Sequence, residues 1–177
     1  MKNEYEIRGE ITAIIINSPK YGRHEALIST SKLERAKEFP NSWGVMWCET
    51  TRSFYVQGHL PRMKVKRKTV RLHRWITQSA VGMQVDHRDH DTLNNTDKNL
   101  RVVTRAENMQ NYKGAYVNSK SGIRGVSWCK VKKMWHATMS VNKKNKHIGY
   151  FDDIDEADHA AVQARMRHMP YSQETIL

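Results

Sequence analysis

Cysteine is scarce in this chain of 177 residues, which contains only Cys48 and Cys129. The two lie far apart in the sequence, so neither a disulfide framework nor a zinc knuckle is indicated. Long apolar runs are also missing, because no stretch approaches the roughly 20 residues that a membrane span needs. The start of the chain, Met-Lys-Asn-Glu-Tyr-Glu, is unlike a signal peptide. We therefore expect a cytoplasmic protein in a reducing compartment, without membrane contact.

Acidic residues are outnumbered, with 18 Asp and Glu against 30 Lys and Arg, a formal net charge of +12 and a pI near 9.8. Nucleic acid is the partner that such a surplus favours. Residues 60–75 hold seven basic residues and no acid, and Lys64, Lys66 and Lys68 would share one face of a strand. A basic face that is merely solvated is the alternative interpretation. The predicted DNA contacts in this segment are Arg62, Lys64, Lys66 and Arg71.

Four polar residues in residues 85–108 have the spacing of a hydrolytic site. Asp86 and His87 are adjacent, Asn99 follows His87 by twelve residues, and Asn108 follows by nine more. Cleavage of a phosphodiester needs a base that activates water and a divalent cation at the phosphate. A largely neutral imidazole suits the base, and oxygen ligands suit a magnesium-like ion. The constellation indicates metal-assisted phosphodiester hydrolysis.

Local patterns place these residues in a hairpin followed by a helix. Residues 83–87 and 100–103 are predicted strands, and Thr104 with Glu107 forms a capping box that starts a helix. The Asn99 side chain is expected to bond backbone groups of the long turn. One difficulty follows from strand geometry, because Asp86 and His87 can face one site only if the pleat breaks there.

This segment resembles the HNH family of homing-type and phage endonucleases, which share a ββα-metal fold. The resemblance implies that Asp86 is a metal ligand, His87 the general base, Asn99 a catalytic brace of the loop and Asn108 the second ligand. Asn at the last position resembles the homing-nickase branch. The implied cofactor is one divalent cation, with Mg²⁺ preferred and Mn²⁺ or Zn²⁺ as alternatives.

The resemblance extends upstream, where residues 70–76 (Val-Arg-Leu-His-Arg-Trp-Ile) are similar to the segment that precedes the motif in small phage members. His73, in this segment, is a further candidate for a phosphate contact. Arg105, at the start of the predicted helix, is another.

The C-terminal part predicts a small sheet with a helix behind it. Residues 113–151 hold nine basic residues and no acid, and residues 125–129, 135–141 and 146–151 alternate as strands do. Asp153 with Glu156 would cap a helix in which Ala157, Ala160, Ala161 and Ala164 form a stripe of small residues. Such a stripe lets a helix lie close to a sheet and leaves the basic face of the sheet open.

This part resembles the Apetala-two/ethylene-response-factor DNA-binding domain, whose three-stranded sheet enters the major groove. The matching segments are residues 121–126, 135–137 and 148–151. The predicted DNA contacts are Arg124, Lys130 and Lys146, because each is a charge without an acid nearby to serve as an internal partner. Trp128 is a further candidate, whereas Trp135 is expected in the core.

The complete prediction is an α+β chain. Residues 1–111 form an N-terminal antiparallel β extension with an HNH nuclease domain, residues 112–121 a linker and residues 122–177 the Apetala-two-like domain. Within the extension, strands are predicted at residues 11–16 and 24–28, a helix at 31–39 and a hairpin at 43–48 and 54–57.

The predicted activity is that of a DNA endonuclease, a site-preferring nicking or homing-type enzyme. Its substrate is double-stranded DNA, and it acts as a monomer or dimer without an obligate protein partner. Two alternatives stay open: a DNA-binding regulator in which the hairpin is only a scaffold, and a nuclease or binder of structured RNA.

Overall fold

The computed structural model describes residues 1–61, 68–116, 118–141 and 144–174. The chain forms two compact units, unit 1 with residues 1–104 and unit 2 with residues 105–177. Between the described ranges lie three of the predicted DNA contacts, Arg62, Lys64 and Lys66, which therefore fall outside the described residues.

Unit 1 begins with an antiparallel sheet of strands β1 (Tyr5–Arg8), β2 (Ile11–Ser18) and β3 (Gly22–Ser29). Alternation along β3 directs Ala26 and Ile28 into the core, where both are fully buried. The strands predicted at residues 11–16 and 24–28 are confirmed. After β3, a 3₁₀ turn (Thr30–Lys32) and helix α1 (Leu33–Lys37) replace the single longer helix predicted at residues 31–39.

A second antiparallel sheet follows, made of β4 (Gly44–Cys48), β5 (Ser53–His59) and β6 (Thr69–Arg71). The hairpin predicted at residues 43–48 and 54–57 is confirmed by the pairing of Trp47 with Phe54 and of Gly44 with Gln57. Helix α2 (Leu72–Thr77) follows β6 directly and buries Leu72, His73 and Ile76. This helix places His73 inside unit 1.

The motif segment forms a third, two-stranded sheet from β7 (Gln84–His87) and β9 (Leu100–Val103). Between them lies β8 (Asn94–Asn95), which joins the first sheet by pairing in parallel with β3. The predicted strands at residues 83–87 and 100–103 are confirmed. Helix α3 (Arg105–Gln110) follows β9 in the sequence and belongs to unit 2. The predicted boundaries at residues 111, 112 and 121 stay a prediction.

Unit 2 contains the antiparallel sheet of β10 (Val126–Cys129), β11 (Met134–Val141) and β12 (Lys144–Phe151) with helix α4 (Ile154–His168). Asp153 caps α4, since its carboxylate accepts hydrogen bonds from the backbone N–H groups of Asp155 and Glu156 at 2.7 and 3.1 Å. Ala157 and Ala161 are fully buried against Val126 and Ala137 of the sheet. The predicted three-stranded sheet backed by a helix is confirmed, as is the mixed α+β class.

Within the described ranges, each helix is too short or too polar to cross a lipid bilayer.

At Gly58 on β5, the apolar core of unit 1 leaves no room for a side chain. Phe39 and Trp43 stack there with ring centroids 3.9 Å apart, and both side chains are almost completely buried. A methyl group added at Gly58 would lie 2.3 Å from Cε1 of Phe39, whereas one added at Gly44 would meet its nearest atom, the carbonyl oxygen of Gln57, at 3.9 Å.

We expect Gly58→Ala to lower the free energy of unfolding of unit 1 by about 1–3 kcal/mol, because overpacking displaces the stacked rings. The change is measured by urea unfolding, monitored through the hydrogen exchange of backbone amides in β2 and β3. Gly44→Ala is the matched control and should cost less than about 1 kcal/mol. Equal stability of the two variants would contradict this account of the core.

Candidate functional site

Two aromatic side chains from other elements of unit 1 pack around His87, the predicted base. His87 ends β7, His73 lies in the first turn of α2, and each is 5 % exposed. Their ring centroids are 5.1 Å apart with the planes at 83°, an edge-to-face arrangement. Tyr55 of β5 completes the cluster, with its ring centroid 6.0 Å from His73 and 6.2 Å from His87. Packing from β5 and α2 therefore orients the His87 imidazole.

Burial lowers the pKa of His87, although the hydrogen bond to Asn95 and the carboxylate of Asp86 oppose the shift. The Nε2 atom of His87 lies 3.2 Å from Oδ1 of Asn95. A pKa below the ordinary value of about 6.5 leaves the imidazole neutral at pH 7. His87 is thus held in the form that can accept a proton.

His73 is more strongly affected, since burial, then His87 and then Arg71 and Arg74 lower its pKa to about 2. A neutral and buried imidazole brings no positive charge to a phosphate. Within unit 1, His73 packs against His87 and Tyr55. A phosphate contact by His73 stays a prediction.

The low pKa of His73 has a consequence for stability. The folded-state pKa lies below the unfolded value of about 6.5, so the unfolded chain binds more protons in acid and the stability of unit 1 falls as the pH falls. Between pH 7 and pH 5 this residue should reduce the free energy of unfolding by about 2 kcal/mol. His73→Phe keeps a buried ring and should remove this part of the slope.

The measurement is hydrogen exchange of β2 and β3 amides at several urea concentrations, at pH 5, 6 and 7, for the wild type and His73→Phe. The difference between the two proteins isolates His73, because His87 and the carboxylates are common to both. Parallel pH dependences would show that His73 takes up a proton in the folded state.

Asp86 forms a buried ion pair with Arg101, the residue opposite it in the β7–β9 register. Oδ2 of Asp86 accepts hydrogen bonds from Nε and Nη2 of Arg101 at 2.8 and 2.7 Å, and both side chains are 10 % exposed. Charge-assisted bonds of this kind fix the direction of the carboxylate. Arg101 cannot be identified from the sequence alone, because only the register of the hairpin shows that it lies opposite Asp86.

The pairing of β7 with β9 is regular from Gln84 to His87, so the pleat does not break between Asp86 and His87. Adjacent residues of a regular strand point to opposite faces. The pleat break that would let Asp86 and His87 face the same site is therefore not present within β7. His87 is, however, the last paired residue. The backbone N–H of His90 donates to the His87 carbonyl at 3.1 Å, so the chain turns immediately after it.

The hairpin offers a ligand that suits a hard cation, because Asp86 supplies carboxylate oxygens and Arg101 fixes their direction. Among the described residues, His, Cys, Asp and Glu form no group of three or more that could hold a metal ion. A soft-metal cage is therefore not formed by the described residues, while Mg²⁺ accepts one or two protein oxygens and completes its shell with water and phosphate. Asn108, the other predicted ligand, lies on α3 in unit 2.

Asn99 braces the loop between β7 and β9. Its Nδ2 donates to the carbonyl oxygen of Asn94 at 2.7 Å, and its Oδ1 accepts from the backbone N–H of Asp89 at 3.0 Å. The side chain is 5 % exposed, so these backbone groups have little access to water. The contacts agree with the brace expected from the sequence, and the catalytic role of Asn99 stays a prediction.

The remaining predicted contacts near the motif differ in exposure. Arg71 is half-buried, with its guanidinium carbon 4.3 Å from the ring centroid of Tyr55, so it belongs to the aromatic cluster around His87. Arg105 is exposed on α3 in unit 2.

Arg124 has internal hydrogen-bond partners in unit 2, contrary to the prediction from the sequence. Its Nη1 donates to the carbonyl oxygens of Gln110 and Tyr112 at 3.1 and 2.7 Å and lies 3.3 Å from Oε1 of Glu174. The expectation that Arg124 lacks a partner was wrong. These acceptors lie 12 to 50 residues away in the sequence, so no local pattern reveals them. A DNA contact by Arg124 stays a prediction.

The face of the unit 2 sheet that points away from α4 carries a cluster that the sequence analysis missed. His136 and Tyr150 are register partners and stack with centroids 4.7 Å apart, and Nε2 of His136 lies 2.9 Å from Nδ1 of His147. The ammonium group of Lys132 lies 3.8 Å from the Tyr150 ring centroid. We call these four residues the His–Tyr patch.

Alternation along the strands defines the two faces. Val126 and Ala137 pack on α4, so their neighbours Ser127 and His136 face the other way. Burial, His147 and Lys132 lower the pKa of His136. Lys130 and Lys146 are exposed, Trp128 is 48 % exposed, and Trp135 packs on the core as predicted.

The motif segment is similar to a known protein family. Residues 70–110, the segment from β6 to α3, match the model of the HNH endonuclease family, and this match supports a nuclease. The chain is also similar to protein 3.8 of Escherichia phage T7, with 38 % identity over 67 residues, or 38 % of this chain. The match spans 54 % of that phage protein, about half its length. No solved structure matches the chain significantly.

Proposed function

We propose that the chain is a DNA endonuclease that hydrolyses phosphodiester bonds with His87 as general base and one divalent metal ion, as a site-preferring nicking or homing-type enzyme. The observation that carries the proposal is the His87 imidazole, buried, neutral and hydrogen-bonded to Asn95, next to Asp86 within an HNH endonuclease domain. A general base needs this combination of a fixed ring and an unprotonated nitrogen.

In this proposal His87 removes a proton from the water that attacks phosphorus, and Asn99 keeps the loop that carries the site closed. Asp86, with its carboxylate fixed by Arg101, would be one ligand of the cation, Mg²⁺ in the first instance, and Asn108 is the second ligand that the family resemblance implies. When bound, the cation stabilises negative charge at the phosphate and the leaving 3′ oxygen. The products are a 5′-phosphate and a 3′-hydroxyl.

Double-stranded DNA is the proposed substrate, with the sheet of unit 2 as its main binding surface. Exposed Lys130 and Lys146 and the ammonium group of Lys132 support this assignment, as does the resemblance to the Apetala-two-like domain. The His–Tyr patch adds flat aromatic surface to the same sheet. One active site per chain nicks one strand, so cleavage of both strands requires a dimer or two sequential nicks.

The first test is His87→Ala, which should reduce Mg²⁺-dependent nicking of supercoiled plasmid at least 100-fold, the usual contribution of a general base. Affinity for the same DNA in EDTA, measured by gel shift, should stay within about twofold, since the buried ring binds no phosphate in this proposal. His159→Ala, at an exposed histidine of α4, is the control and should nick normally.

Wild-type nicking rates for His87→Ala would reject the base assignment. A wild-type protein that binds duplex DNA without cleaving it in Mg²⁺, Mn²⁺ or Zn²⁺ would support the non-catalytic regulator instead. Structured RNA, added as a competitor in the same assay, should inhibit less than duplex DNA; stronger inhibition would favour the RNA-directed alternative.

The second test concerns the sheet of unit 2. Replacement of both Lys130 and Lys146 by Gln should weaken DNA binding and lower the slope of log Kd against log salt by about 2, if each ammonium group neutralises one phosphate. Lys20→Gln, at an exposed lysine of unit 1 outside the HNH domain, is the matched control and should leave the slope unchanged. Equal slopes for the double variant and the wild type would exclude these two phosphate contacts.

A further inference from the structure

The side-chain amide of Asn95 is buried, with 1 % exposure, and its orientation is determined by its surroundings. Its Nδ2 lies 2.9 Å from the carbonyl oxygen of Leu93 and 3.5 Å from that of Thr92. Carbonyl oxygens only accept hydrogen bonds, so the atom that faces them must be the NH₂ group. A flipped amide would set its own oxygen against two carbonyl oxygens, with almost no access to water. Oδ1 is therefore the atom that faces His87.

This orientation determines which nitrogen of His87 carries the hydrogen. Oδ1 of Asn95 can only accept, so Nε2 of His87, at 3.2 Å, must be the donor. A neutral imidazole has one N–H group, and with Nε2 protonated the lone pair that can take up a proton is on Nδ1. The hydrogen bond to Asn95 thus selects one of the two neutral tautomers.

We propose that Asn95 is a positioning residue that holds His87 in the Nε2–H tautomer and so makes Nδ1 the atom that accepts the proton from water. The inference rests on the proposed function, in which His87 is the base. As the water O–H bond breaks, the N–H bond forms at Nδ1, the hydroxide oxygen bonds to phosphorus and the P–O3′ bond breaks. The 3′ oxygen takes a proton from solvent, and the imidazolium later returns one to solvent while Nε2–H stays bonded to Asn95.

Asn95 is itself held from outside the segment that matches the HNH family model. Asn94 and Asn95 form β8, which pairs in parallel with Leu27 and Ile28 of β3, and the backbone N–H of Leu27 donates to the Leu93 carbonyl at 2.9 Å. The same carbonyl oxygen accepts from Nδ2 of Asn95. The N-terminal sheet therefore fixes the acceptor that orients the amide, and through it the base.

Nuclear magnetic resonance of the full chain reports the tautomer directly. In protein labelled with ¹⁵N at histidine, at pH 8 and without metal, the couplings of the ring nitrogens to the carbon-bound hydrogens distinguish Nε2–H from Nδ1–H. The His87 signals are identified by their absence in His87→Ala. We expect the Nε2–H form; His87 in the Nδ1–H form would overturn the inference, even if no Asn95 variant folds.

Variants then test whether Asn95 is the cause. Asn95→Leu removes the acceptor and should yield a mixture of tautomers, with kcat for nicking about tenfold lower and KM for DNA within about twofold, the effect of one lost hydrogen bond. A pure Nε2–H form in Asn95→Leu would show that another group selects the tautomer.

Asn94→Ala is the matched control for disturbance of the loop. It removes three side-chain hydrogen bonds, one to Asp89 and two from the hydroxyl and the backbone N–H of Thr96, and none of them involves His87. Its His87 tautomer should be that of the wild type. If Asn94→Ala and Asn95→Leu lower kcat equally while the tautomer stays unchanged in both, Asn95 acts only on the loop and the inference is rejected.

Failure of this inference can be separated from failure of the proposed function. An Nδ1–H tautomer together with an inactive His87→Ala rejects the role of Asn95 and leaves His87 as the base. Normal nicking by His87→Ala with His87 in the Nε2–H form rejects the proposed function, while the control of the tautomer by Asn95 stands.

Discussion

The hydrogen bond between the buried Asn95 amide and the His87 imidazole is the interaction on which the candidate site depends. It requires that water be nearly excluded, which the packing of His73 and Tyr55 against His87 achieves. The same exclusion keeps His87 neutral, because a charge is costly to form where hydration is poor. The packing of β5, α2 and β8 around the end of β7 thus both orients the His87 ring and keeps it neutral.

Much of the fold could be predicted from the sequence, because its signals are local. The hairpin around the motif, the brace at Asn99 and the cap at Asp153 all follow from spacing and side-chain chemistry over a few residues. The ion pair of Asp86 with Arg101 could not be predicted in this way, since it depends on strand register. The His136–His147 contact depends on the register between β11 and β12 and on an irregularity next to Thr138.

Arg124 illustrates a different limit of sequence interpretation. A cation surrounded in the sequence by other cations was expected to lack an internal partner, yet backbone carbonyls, which every segment of chain supplies, also accept hydrogen bonds from a guanidinium. Glu174, 50 residues away, adds a carboxylate. Asn95 was overlooked for a related reason, since it occurs in a polar loop with several other amides. Only the three-dimensional structure distinguishes it, by burial and by the carbonyl oxygens of Leu93 and Thr92.

The ion pair between Asp86 and Arg101 determines the local charge of the hairpin when no cation is bound. A buried carboxylate without a counter-charge is costly because it loses its hydration, whereas here an arginine on the facing strand balances its charge. The hairpin is therefore electrically neutral at this pair in the resting protein. If Asp86 binds a cation as proposed, that cation would share an anion that already has a counter-charge, which favours weak and readily reversible binding over permanent retention.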